Sequence, residues 1–183
     1  MDKLFQQNFY WGNGRQPYCG LFGHSFIKRL CKKPHYWRQM PFSGEAHDTG
    51  GLRTSTLLQL LRRCNLSKFD AIFIQIGEND MLDMNNHQLM YALVAVYEEA
   101  RRQGVRHVCF GSMFLRHNRN HNKRAKRLNK ILWEIHPSKV WFHDSGLISA
   151  ASIDPRDKCH LKRNEEKNFA DSIERCLRHL LRT

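Results

Sequence analysis

The chain has 183 residues, with 30 Lys and Arg against 17 Asp and Glu, a formal net charge of +13 at neutral pH. At 41% hydrophobic and 26% charged residues its composition is that of an ordinary globular protein, which excludes a wholly disordered chain and favours one core over two. The longest apolar runs, such as Ala71 to Ile76, fall far short of the roughly 20 residues that cross a bilayer, so no transmembrane helix is expected.

In chain order, Met1 to Gln16 mixes polar and aromatic residues without a continuous apolar stretch, so no secretory signal is expected. This segment reads as an amino-terminal extension, 1–16, to a single domain over 17–183, with an intracellular location following from the missing signal. Tyr18 to Phe22 is a short apolar run ending at Gly23, and Phe26 to Cys31 follows with helical spacing. Leu52, Leu57, Leu58, Leu60 and Leu61 mark an amphipathic helix to about Cys64. The sequon Asn65-Leu66-Ser67 reads as a helix-to-strand connection. Ala71 to Ile76 is a strand closed by Gly77, and Leu89, Leu93, Val96 and Tyr97 stripe a helix that Gly104 stops. Val108 to Phe110 and Val140 to Phe142 are further strands. Between them, Leu128, Ile131, Leu132 and Ile135 stripe a basic helix ended by Pro137, and Phe169, Ile173, Leu177 and Leu180 stripe a closing helix. The six cysteines lack C-x-x-C pairing and read as reduced and structural.

Apolar strands alternating with helices define an α/β architecture, a three-layer α/β/α sandwich around a mostly parallel sheet. In such folds functional groups gather at the carboxyl ends of the strands. Gly23-His24-Ser25 puts a serine at a strand-to-helix turn, where its hydroxyl is presented and its N–H can serve an oxyanion. Serine is equally a common helix cap, and Ile27 stands where a G-x-S-x-G elbow needs its second glycine. Gly77-Glu78-Asn79-Asp80 offers the Asn79 amide as an uncharged donor, with Asp80 able to cap the following segment; an Asx turn is the ordinary alternative. Asp157-Lys158-Cys159-His160 places a carboxylate three positions before an imidazole, so that Asp157 can accept from Nδ1–H and leave Nε2 as a base. Zinc is disfavoured, because Cys159-His160 has no second ligand pair.

Taken together, the order Ser25, Gly51, Asn79, Asp157-x-x-His160 resembles the SGNH (GDSL-type) hydrolase superfamily over nearly the whole chain. The resemblance implies a five-stranded sheet of flavodoxin-like strand order, an ester substrate whose identity the sequence does not specify, and no metal or other cofactor. It implies Ser25 as nucleophile and first oxyanion donor, His160 as base, Asp157 as its orienting acid and Asn79 as a side-chain donor. Gly51 would give a further N–H, with Gly44 competing for that role. The family's Asp after the first glycine is His24 here. A narrower similarity, to SGNH domains of animal retroelements, rests on Gly23-His24-Ser25-Phe26 and on Arg127-Leu128-Asn129 leading to Val140-Trp141-Phe142-His143.

The charge is concentrated in Lys28, Arg29, Lys32 and Lys33, and in Arg116, Arg119, Lys123, Arg124, Lys126, Arg127 and Lys130. Single clusters of this kind are usually solvated helix faces, but a surplus without an acidic counterpart points to nucleic acid or an anionic membrane surface. Lys28, Arg29, Arg119, Lys123, Arg124, Lys126, Arg127 and Lys130 are the candidate phosphate contacts, and Lys123 to Arg127 would also serve as a nuclear-localisation patch. The superfamily resemblance includes the OSK domain, which binds RNA through a basic surface after losing the catalytic residues, whereas this chain keeps Ser25, Asn79, Asp157 and His160. His24 and Lys28 to Lys33, beside Ser25, also suggest an anionic substrate.

Overall fold

The structure, a computed structural model, describes residues 8–12, 17–37, 40–135, 140–141, 143 and 149–182. Six strands form one sheet: β1 (Asn8–Trp11), β2 (Tyr18–Gly23), β3 (Ser43–Asp48), β4 (Ala71–Gln75), β5 (His107–Gly111) and β6 (Val140–Trp141). Their order is β1-β3-β2-β4-β5-β6, all pairs being parallel except β1 on β3. Without β1 this is the flavodoxin-like order expected, with the strands crossing over in opposite directions from β2.

The sixth strand corrects the expected count of five. Asn8–Trp11, inside the segment 1–16, zips antiparallel along β3, where the Trp11 indole is buried, donates to the Phe42 carbonyl at 3.2 Å and stacks on Trp37. Phe142, Pro137 and most of the first sixteen residues lie outside the described residues.

Along the central strands, side chains alternate between two cores, as the pleat requires. Ile72 and Ile74 of β4, with Val108 and Phe110 of β5, pack under helices α2 (Thr54–Arg63), α3 (Asn86–Arg102) and α4 (Arg119–Ile135). Ala71, Phe73 and Cys109 pack on the other face under α1 (Ser25–Cys31) and α5 (Arg163–Leu180). Each fully buried Leu, Ile or Phe here contributes about 1.5–3 kcal/mol by leaving water. Local signals agree with the helices. Asn85 and Gln88 form a reciprocal capping box at the start of α3. Glu165 and Glu166 sit in the first turn of α5, where the helix dipole favours carboxylates. No helix among the described residues is long and apolar enough to cross a membrane.

Candidate active site

Ser25 opens α1 directly after the carboxyl end of β2, beside the carboxyl end of β4, since Gly23 pairs with Gln75. The turn is tight: a Cβ on Gly23 would lie 2.7 Å from the Gln75 carbonyl and 2.6 Å from Ile27, so only glycine lets the chain pass. From here Ser25 Oγ reaches His160 Nε2 at 2.8 Å, and His160 Nδ1 reaches Asp157 Oδ2 at 2.9 Å. These three side chains, up to 135 positions apart, form one hydrogen-bonded chain.

The loop carrying the imidazole is anchored at several points. Ile153 and Leu161 form an antiparallel bridge, the Asp154 N–H donates to the His160 carbonyl at 2.7 Å, and Lys158 takes a left-handed φ of 57° to bring Asp157 back under the ring. Asp157 Oδ1 accepts the N–H groups of Cys159 and His160, both at 2.9 Å. Desolvation pushes the Asp157 carboxyl up, but these backbone donors and the His160 imidazole outweigh it and hold it at about 2. It is therefore an ionised acceptor at neutral pH, which places the proton on His160 Nδ1 and leaves Nε2 to accept from the Ser25 hydroxyl. The edge of Phe26, the residue after the serine, supports the imidazole at 5.8 Å.

The second and third blocks are brought to the same end of the sheet. The Thr49 N–H donates to the Gly23 carbonyl at 3.2 Å, carrying the loop of Gly51 alongside the Ser25 turn. Gly51 is exposed with φ +74°, a conformation suited to glycine. Asn79 is partly exposed and gives one amide N–H to the Leu52 carbonyl at 3.0 Å, which leaves its second amide hydrogen for a ligand. Asp80, expected to cap its own following segment, instead accepts from Thr54 N at 3.0 Å and Thr54 Oγ1 at 2.8 Å, so it fixes the start of α2 and hence the Gly51 loop. Gly44, the competing donor, is excluded by register: it pairs with Cys19, four residues before Gly23 and roughly 13 Å from the carboxyl edge at about 3.3 Å per residue.

Beneath the serine runs a buried polar chain that sequence reasoning missed. His24 is fully buried, and its Nε2 donates to Glu78 Oε2 at 2.8 Å, so it faces away from any substrate. This corrects the expectation that His24 contributes charge to a substrate site. Burial pushes the Glu78 carboxyl up, but interaction with His24 and Arg116 brings it to about 2, an ionised acceptor. Its Oε1 takes N–H groups from Gln75 at 2.9 Å and Phe114 at 3.3 Å. Gln75 Oε1 accepts from His143 Nε2 at 3.1 Å, and His143 Nδ1 accepts from the Ser172 hydroxyl at 2.8 Å. Burial pushes His143 down to about 3, so the ring is neutral. The available signal was an ionisable residue directly before each of Ser25 and Asn79.

The basic candidates separate. Arg29 contacts Asp157 Oδ2 at 3.4 Å and Glu166 Oε1 at 2.9 Å, tying α1 to the carboxylate beside His160 and to α5. Arg124 is committed inward, to the Met81 and Met84 carbonyls and to Asn86. Arg119, Lys123, Lys126, Arg127 and Lys130 are exposed on α4, on the face of the sheet opposite α1, so Lys28 and the α4 cations do not share one layer.

This site stands on the fold of the G-D-S-L lipolytic hydrolases. The chain is similar to a lipolytic protein of that family from Veillonella parvula DSM 2008, at TM-score 0.69 and 14% identity, covering 89% of this chain and 99% of that one. It is similar to the psychrotrophic esterase EstA from Pseudoalteromonas sp., at TM-score 0.67 and 12% identity, with 92% and 100% covered. It is also similar to the OSK domain of Drosophila Oskar, at TM-score 0.64 and 19% identity, with 86% of each chain covered. No protein-family model and no curated protein matches the sequence.

Proposed function

We propose that the chain is a serine hydrolase of carboxylic esters working through an acyl-enzyme. The observation that carries this reading is the unbroken chain from Ser25 Oγ through His160 to Asp157, with contacts of 2.8 and 2.9 Å. Ser25 Oγ bonds to the ester carbonyl carbon as His160 Nε2 takes its proton. The carbonyl oxygen becomes an oxyanion, for which the Ser25 and Gly51 N–H groups and the free Asn79 amide hydrogen are the available donors; removing one such donor typically costs about 2.7–4 kcal/mol of barrier lowering. As the carbonyl re-forms, the bond to the alkoxide oxygen breaks and His160 returns the proton to the leaving alcohol. Water, deprotonated by the same imidazole, then attacks the acyl carbon, and as the bond to Ser25 breaks His160 returns that proton to Oγ and the acid is released. Hydrolysis of short 4-nitrophenyl esters by the wild type and by Ser25→Ala tests the reading: a Ser25-dependent rate supports it, and equal rates in both contradict it.

A second, compatible reading is binding of RNA along α4. It is favoured by the angular positions of Arg119, Lys123, Lys126, Arg127 and Lys130, which at about 100° per residue fall in an arc of roughly 100° opposite the buried Leu128 and Leu132. RNA affinity across a salt series tests it, with no binding at low salt as the contradicting result.

A further inference from the structure

The triad opens into a cavity of about 560 Å³ between α1, α5 and the loop that carries His160. Ser25 and His160 line it together with six basic side chains, Lys28, Lys32 and Arg163 among them, and the carboxylates of Asp154 and Glu166. Some of its charge is internally committed: Arg29 and Lys33 pair with Glu166, and Arg156 pairs with Asp154 at 2.7 Å. Lys28, Lys32 and Arg163 enter no ion pair among the described residues, although the half-buried Asp48 lies within electrostatic reach of the two lysines. All three are exposed, so they line the cavity without supporting the core. The positive character of the space is therefore uncompensated where it is open.

The cavity also has a direction. Ser25 and His160 line it and neither Gly51 nor Asn79 does, so it extends from the imidazole side of the serine rather than the oxyanion side. His160 Nε2 must hand its proton to the departing oxygen, which puts the alcohol half of an ester on that side. We infer that the ester cleaved at Ser25 carries a negative charge in its alcohol half, held in this cavity by Lys28, Lys32 and Arg163. The volume suits a small organic anion, within the roughly 300–1,000 Å³ of small-molecule sites. This inference rests on the hydrolase reading above and specifies its substrate class.

The test compares matched esters in one protein. 4-Acetoxybenzenesulfonate and 4-acetoxybenzenesulfonamide differ by a charge in the alcohol half; mono-4-nitrophenyl adipate and 4-nitrophenyl hexanoate differ by a charge in the acyl half. With exposed ionic contacts each worth roughly 1.4- to fivefold, the three cations together predict a kcat/KM on the order of tenfold higher for the sulfonate than for the sulfonamide at low salt. That ratio falls towards one in 1 M NaCl and in the variant carrying Lys28→Gln, Lys32→Gln and Arg163→Gln, and because it is taken within one protein, damage to folding or to the triad cancels. Ser25-dependent hydrolysis of both acetoxy esters with a ratio near one overturns the inference while leaving the hydrolase reading intact. A preference for adipate over hexanoate without one for the sulfonate overturns the placement in the alcohol half. No Ser25-dependent hydrolysis of any of the four overturns the hydrolase reading, and the inference with it.

Discussion

His24 and Glu78 lie 54 positions apart and meet at 2.8 Å in complete burial, each directly preceding a residue of the proposed machinery, Ser25 and Asn79. The contact fastens the turn after β2 to the turn after β4, and Glu78 also holds Gln75 and the Phe114 N–H. Breaking such a pair from one side leaves a buried polar group without its partner, at a cost of about 3–5 kcal/mol. Glu78→Leu is expected to destabilise by that order, and the double variant His24→Phe, Glu78→Leu by less than the sum of the two single changes. Urea titrations of the four proteins measure the coupling, and strict additivity would show that the two side chains are not coupled.

Acid sensitivity follows from two buried groups, Glu78 and His143. The folded state holds Glu78 at about 2, below the ordinary carboxylate value near 4.5, so its contribution is complete above pH 4.5 and is lost as pH falls towards 2. His143 is held at about 3, so between pH 6.5 and 3 the unfolded chain takes up a proton that the folded one refuses, and stability falls with pH through that window. His47 and His121 are also lowered by burial and act in the same direction. His143→Gln is expected to flatten the stability profile between pH 6.5 and 4.5 by about 1.4 kcal/mol per pH unit, the share of one proton. Urea midpoints across that range check it, and an unchanged slope contradicts it.

Asp157→Asn is expected to lower kcat by up to about 10⁴-fold, because an amide can donate towards Nδ1 and favour the tautomer that puts a hydrogen on Nε2, facing Ser25. The fold is expected to persist, since Asp157 is exposed on its loop. Steady-state kinetics beside a thermal melt separate the two effects; a kcat within threefold of wild type would show that the carboxylate orients nothing.

Arg124 was legible in the sequence only as one cation among many, yet its guanidinium reaches two carbonyls and Asn86 across 38 to 43 positions. Arg124→Lys is expected to cost about 1–3 kcal/mol, since an ammonium cannot reproduce the fork, while Lys126→Ala is expected to stay within about 0.5 kcal/mol. Equal effects of the two substitutions on denaturant midpoints would contradict this division of roles.

These contrasts mark what local pattern can carry. Central strands such as Ala71–Gln75 are buried on both faces and read as apolar runs, and helices read from the spacing of Leu57, Leu60 and Leu61. β3 does not read this way, because Ser43-Gly44-Glu45-Ala46-His47-Asp48 buries a polar cluster: His47 and Lys68 meet Glu45 at 2.7 and 2.6 Å, and the His47 ring stacks on Phe22. β1 is too short to show a period, and its one buried side chain among those described is Trp11. In the site, Ser25, Asn79, Asp157 and His160 were legible because each sits at a strand end or in a short motif. The contacts that hold the surrounding turns, His24 with Glu78, Thr54 with Asp80 and Arg29 with Asp157, are long-range pairs with no local spacing to betray them.

The hydrolase reading requires Ser25 to be a nucleophile activated by His160. Reaction with a 4-nitrophenyl alkylphosphonate ester, followed by peptide mass spectrometry, tests it most directly. One phosphonyl adduct is expected, on the peptide bearing Ser25, absent in Ser25→Ala and slowed by orders of magnitude in His160→Ala. No adduct on the wild type, or one that persists undiminished in Ser25→Ala, would contradict it.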